Sequence, residues 1–226
     1  MNQPPNFNRL ARIYRWMEWL SFGPWLGWCR CAFLPQLSAY RRAVVLGDGD
    51  GRFTARLLAS NPLIQIDAVD ASSAMLEALT RRAGRHCPRV RFHLCDAREW
   101  QPAEQAYDLI ATHFFLDCLT TDEVESLAVN LRRVSAPRAF WLVSEFAVPP
   151  GLLGRLVAKS LVSALYWAFS WLTGLTVRAL PDHAAALRRS GFDLQCRRIW
   201  LGGLLISEVW CPTETQLPVN PTPVQL

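Results

Sequence analysis

Val44, Val45 and Leu46 run directly into Gly47-Asp48-Gly49-Asp50-Gly51 and then into Arg52-Phe53. An apolar run that meets three alternating glycines reads as a buried strand, a tight turn and the start of a helix. Glycine lets such a turn approach a ligand where a Cβ would collide, and the first helical amides then lie at the ligand's edge. The order is G-x-G-x-G, which differs from the G-x-G-x-x-G of pyrophosphate-binding dinucleotide sites. Two carboxylates, Asp48 and Asp50, lie inside the loop. They oppose a pyrophosphate and suit a ligand that carries positive charge.

Two more signals follow at strand-and-helix intervals. Leu63 to Asp70 reads as a second strand that ends in an acid 19 residues after Gly51, and Val90 to Asp96 as a third strand with an acid at its carboxyl end. Asp70 suits a pair of ribose hydroxyls, each charge-assisted hydrogen bond contributing about 1.5–3 kcal/mol. Asp96 suits an adenine amino group. Any one of these acids is also a common helix cap, but all three at strand ends match the ligand edge of an open parallel sheet. S-adenosylmethionine combines an ammonium and a sulfonium with ribose and adenine.

The segment Asp70-Ala71-Ser72-Ser73-Ala74-Met75-Leu76 resembles the signature of class I S-adenosylmethionine-dependent methyltransferases. Phe7-Asn8-Arg9-Leu10-Ala11-Arg12-Ile13-Tyr14, then Leu20-Ser21-Phe22-Gly23, is similar to the opening of the quinone-ring C-methyltransferases of ubiquinone and menaquinone biosynthesis. Gly191-Phe192 and Leu201-Gly202-Gly203-Leu204-Leu205-Ile206 resemble that group's closing hairpin. The likeness covers residues 7 to about 148 and 180 to 210. It implies a donor site built from Tyr14, Gly47, Asp48, Gly49, Gly51, Asp70, Ala71, Ser72, Met75, Asp96, Ala97, Thr112 and His113. It implies methyl transfer to a hydrophobic, ring-containing small molecule. The chain departs from the group at Val45, where an acid is usual, so Asp48 is expected to take over the contact with the donor's ammonium. Arg15 follows Tyr14 where the group has Asp, and the group's tyrosine-rich substrate segment after the fifth strand is replaced. Two alternatives stay open: N- or O-methylation of a lipid or secondary metabolite, and a non-catalytic S-adenosylmethionine-binding protein.

The elements alternate as strands and helices, the pattern of an α/β doubly wound, Rossmann-like sheet of seven strands with the last one antiparallel. Strands are predicted at 43–47, 64–69, 90–95, 107–112 and 139–145, with a closing antiparallel pair at 192–200 and 204–210. Helices are predicted at about 8–20 and 24–38, and His183 after Pro181 reads as a helix cap. One domain is expected over 1–212, with a helical cap at 1–40, a helical lid insertion at 150–180 and an unstructured tail at 213–226. At 226 residues and 51% hydrophobic content the chain can bury one sizeable core. Its seven cysteines are scattered and odd in number, which gives neither a disulfide framework nor a metal site and suits a cytoplasmic setting.

The net charge of +5 rests on 23 Arg and one Lys. The basic cluster Arg81, Arg82, Arg85, Arg89, Arg91 and Arg98 lacks interleaved aromatic residues, so no nucleic-acid partner is expected. Residues 152–177 carry no charge for 18 residues from Ser160. Their helical phase nevertheless collects Arg155, Lys159, Ser163, Tyr166, Ser170 and Thr173 in one stripe. That reads as an amphipathic helix, with the choice between substrate lid and peripheral contact at an inner membrane face left open. A monomer or weak dimer is expected. His113, at the end of the fourth strand, is the expected catalytic base, with Asp117 orienting it or acting alone; a structural histidine carries similar weight.

Overall fold

The computed structural model describes residues 23–102, 106–149 and 180–213. Within them, β1 (Arg42–Leu46), β2 (Gln65–Asp70), β3 (Val90–Leu94), β4 (Tyr107–His113), β5 (Ser135–Phe146), β6 (Phe192–Trp200) and β7 (Leu205–Pro212) form one sheet. The order is β3-β2-β1-β4-β5-β7-β6. Strands β1 to β5 pair in parallel, and β7 runs antiparallel to both its neighbours. This is the doubly wound sheet with an antiparallel last strand that the element order predicts. The helices described are α1 (Trp25–Arg30), α2 (Arg52–Ser60), α3 (Ser73–Ala83), α4 (Thr121–Val134) and α5 (His183–Arg189).

Strand β1 is apolar without alternation because helices cover both faces of a parallel sheet. Ala43 and Val45 pack with Phe33, Leu37, Phe53 and Leu57 on one face. Val44 and Leu46 pack with Val124, Leu127, Leu131 and Leu187 on the other. Helix starts follow local capping chemistry. Ser72 accepts the Met75 amide at the start of α3, and Thr120 with Glu123 forms a reciprocal capping box for α4.

Three expectations change. The helix predicted at 24–38 ends at Arg30, and a 3-10 turn follows at Leu34–Gln36, because Pro35 disfavours α geometry at the residue before it. The cap of α5 is Asp182, which accepts the Ala185 amide; His183 begins the helix and turns its Nε2 to Glu208 at 3.1 Å. Strand β5 starts at Ser135 instead of 139. Tyr14, the helices expected at 8–20 and 152–177, and the tail from residue 214 lie outside the described residues. Among the described residues no helix is long and apolar enough to cross a membrane.

The outer half of the core is anchored by Trp141, fully buried on β5. Its ring stands edge-on to Phe192 at 5.1 Å, and its Nε1–H donates to Thr112 Oγ1 at 3.0 Å. Trp141→Ala is expected to lower unfolding stability by about 3–5 kcal/mol, measured by urea denaturation; a loss below about 1 kcal/mol would contradict this packing role.

Candidate functional site

The ligand edge is built where β1, β2, β3 and β4 end. Leu46 stands opposite Val69 on one side and Thr112 on the other, so Gly47, Asp70 and His113 leave the sheet together. Gly47, Gly49 and Gly51 all have left-handed φ values, 63°, 58° and 79°. Their surroundings differ. A Cβ on Gly47 would lie 2.3 Å from the Phe115 ring, and one on Gly51 would lie 2.8 Å from the Leu79 Cα. A Cβ on Gly49 would meet nothing within 4 Å. The first and third glycines therefore serve close packing, while the middle one faces open space that a ligand can use.

Asp48 is buried, and only its Oδ2 is used, accepting the Thr54 amide at 2.8 Å. Its Oδ1 is buried without a hydrogen-bond partner. Burial raises its carboxyl to about 6. Asp70 accepts the Ser72 amide through Oδ1 at 2.8 Å; burial, with Asp48 nearby, raises it to about 6 as well. With Asp48 Oδ1 unpartnered and the Arg30 charge too little to offset burial at Asp48, such a pair fits a ligand bearing a cation and paired hydroxyls. The cradle thus matches the expected donor. Asp50, by contrast, points to Arg52 at 3.1 Å and Arg82 at 2.7 Å, so its charge is neutralised outside the cradle. Val45 sits in the core with Phe53, which leaves Asp48 as the acid nearest the family's usual position.

Other predicted site residues are placed differently from expectation. Asp96 is held by Arg98, whose Nη2 approaches it to 2.5 Å and whose amide donates at 2.9 Å. The guanidinium keeps this carboxyl below its ordinary value; the sequence expects it open to an adenine amino group. The Thr112 hydroxyl is fully buried and engaged by Trp141 and the Leu142 carbonyl, which makes its side chain a core element. Ala97 and Met75 are buried. Ala71 is exposed, and Ser72 caps α3.

His113 is also corrected. Its Nδ1 meets Ser144 Oγ at 2.9 Å, and its Nε2 is buried without a partner. The ring packs edge-on to Phe53 at 4.3 Å. Burial, aided by the Arg30 charge, lowers its titration to about 3. A base that releases its proton so readily is a poor acceptor at neutral pH, and its Nδ1 pairs with the Ser144 hydroxyl where the sequence expects Asp117 to orient it. Asp117 itself is raised by burial to about 6. The neighbouring Glu145 is raised well above the usual carboxylate range by burial and then by Asp117. Two neighbouring buried carboxyls do not both ionise readily, and Glu145 is the more strongly raised of the two.

Three contributors carry no sequence motif. Arg30 is buried on α1, its guanidinium 5.1 Å from the centre of the Phe114 ring. Phe115 lies against Gly47. Glu145 accepts the amides of Phe115 and Leu116 at 3.1 and 2.8 Å. The one available sequence signal was an acid at the end of an otherwise apolar strand, Phe140 to Glu145. Among the described residues no cluster of His, Cys, Asp or Glu is suited to hold a metal ion.

Residues 43–138 match the family model of a methyltransferase domain. A curated relative, trans-aconitate 2-methyltransferase of Methylobacterium radiotolerans, is 41% identical over 127 residues, covering 55% of this chain and 46% of the relative. The chain therefore matches about half the length of that protein. Among solved structures, the mitomycin 7-O-methyltransferase superposes with a TM-score of 0.68 at 16% identity, covering 92% of this chain and 60% of that one. A TehB-like S-adenosylmethionine-dependent methyltransferase from Corynebacterium glutamicum gives 0.59 at 16% identity, covering 90% and 98%. These structures share the fold.

The donor contacts expected at Asp48 and Asp70 need ionised carboxylates, while burial raises both groups to about 6. Donor affinity should therefore hold above that value and fall as pH drops through it, by up to about tenfold per unit for each carboxylate. Calorimetry at about pH 7.5 and about pH 5.5 measures this; equal affinities at the two would remove the carboxylates from the contact. Asp70→Ala is expected to weaken donor binding at neutral pH by at least about tenfold, the loss of one charge-assisted bond.

Proposed function

We propose that this chain, whose residues 43–138 match a methyltransferase-domain model, transfers a methyl group from S-adenosylmethionine to a hydrophobic, ring-containing small molecule. The observation that carries the acceptor reading is an aromatic wall at the ligand edge. Trp25 stands edge-on to Trp28 at 5.0 Å and to Trp200 at 6.5 Å, and Phe114 lies against Phe146 at 5.0 Å. Phe114, Leu26, Cys29 and Leu205 form the small buried cluster beneath these rings. Aromatic faces of this kind suit a flat apolar acceptor and exclude water from it.

When bound, the donor supplies a methyl group already activated on a cationic sulfur and leaves as neutral S-adenosylhomocysteine. The chain's task is alignment and removal of one proton from the acceptor. Asp117 receives that proton. It titrates near 6, so it is ionised at neutral pH yet more basic than an ordinary carboxylate. Arg30, buried beside Phe114, supplies a positive charge to the donor's carboxylate or to an anion forming on the acceptor.

The same arginine favours a second reading, a carboxylate-bearing acceptor, since the curated relative is named for trans-aconitate. A donor-dependent screen that detects S-adenosylhomocysteine separates the two. Product with quinol or phenol precursors supports the first reading; product with aconitate alone supports the second; donor binding with no product would leave a non-catalytic binding protein. Asp117→Asn is expected to lower kcat by about 10²–10⁴ while donor affinity stays within about twofold. Unchanged turnover would remove Asp117 from the chemistry.

A further inference from the structure

Glu145 is a buried acid at the end of β5 that no motif identifies. It is 2% exposed. One oxygen, Oε1, accepts two consecutive amides, Phe115 at 3.1 Å and Leu116 at 2.8 Å. The other, Oε2, is buried without a hydrogen-bond partner. The residue just before those amides, Phe114, has a φ of 54°, a left-handed conformation that a bulky side chain adopts only when its surroundings hold it there. The Phe114 amide donates to the Ser144 carbonyl at 2.7 Å. Three successive amides that leave β4 are thus tied to two successive residues of β5.

This tether has consequences in two directions. It bends the chain so that the Phe115 ring lies on Gly47, where a Cβ would come within 2.3 Å of it. It also sets where the turn Leu116–Cys118 begins, and that turn carries Asp117.

We propose that Glu145 is a positioning residue: its carboxyl holds Phe115 on the glycine cradle and Asp117 at the acceptor side, joining the two halves of the site through one side chain. The part that concerns Asp117 rests on the reading of Asp117 as proton acceptor; the part that concerns the cradle does not. An oxygen alone is enough to accept the two amides.

Two substitutions separate these roles. Glu145→Gln keeps an acceptor for the amides and removes the neighbouring acid. Donor affinity should stay within about twofold of the parent. Glu145→Ala removes the tether, and donor affinity measured by calorimetry on the full chain should fall by at least about tenfold. Phe115→Ala should produce a comparable loss, and it carries the test if Glu145→Ala does not fold. A lower melting temperature with donor affinity unmoved in all three variants would reduce Glu145 to a structural residue and overturn the proposal. Donor affinity lost in Glu145→Gln at unchanged melting temperature would overturn it too, since the tether would then need more than an oxygen. If Asp117→Asn keeps full turnover, the proton-acceptor reading fails by itself, and the calorimetric arms still decide the link to the cradle.

Discussion

Parallel pairing of β1 with a strand on each side is the constraint on which the rest of the site depends. Leu46 is level with Val69 and with Thr112, so the glycine loop, the acid of β2 and the turn after β4 emerge at one height. The chain also changes direction across the sheet at β1, with β2 and β3 to one side and β4 and β5 to the other. Helices on opposite faces leave a crevice at such a point, beyond the carboxyl ends of the strands. The apolar run from Ala43 to Leu46, buried throughout, makes that position obligatory, because an edge strand would leave one side of it exposed to water.

The crevice is electrostatically unfinished in a consistent way. Asp48, Asp70, Asp117 and Glu145 are all raised by burial, with the buried Arg30 as the cation on the adjoining helix. Elsewhere the fold completes its buried acids. Glu208 is fully buried, yet His183, Trp210 and Arg197 surround its two oxygens at 3.1, 2.8 and 2.6 Å, and these partners outweigh burial to lower its titration. The same physical cost is met with partners in the outer sheet and only in part at the ligand edge, where Asp48 Oδ1 and Glu145 Oε2 are buried without a hydrogen-bond partner. A cationic ligand with donor hydroxyls would supply what the protein withholds.

Much of the donor half was legible because its determinants are local. The spacing from strand to glycines to helix lies within ten residues, and Asp70 followed by Ser72 and Met75 is one strand end and one helix cap. The misreadings lie where partners are distant in sequence. The Thr112 hydroxyl is consumed by Trp141, 29 residues on. His113 is set by Ser144, 31 residues on, and by Phe53 across the sheet face. Asp96 is captured by Arg98, which reaches at the same time to Glu123 at 2.7 Å. A sequence reading assigns chemistry to residue types, whereas these side chains take their chemistry from what the fold places against them.

The sequence by itself determined the sheet, its central strand and the kind of donor the glycine loop suits, because apolar periodicity, glycine geometry and strand-end acids act through neighbours along the chain. Only the tertiary structure decided which groups are available for chemistry. It buried His113 beyond useful basicity and set Asp117 and Glu145 as neighbouring acids, both raised by burial. It brought Arg30 to the site from a helix before β1 and tied Phe115 to Gly47 through a carboxyl on β5. Burial and long-range pairing set those properties, and both exist only once strands remote in sequence lie side by side.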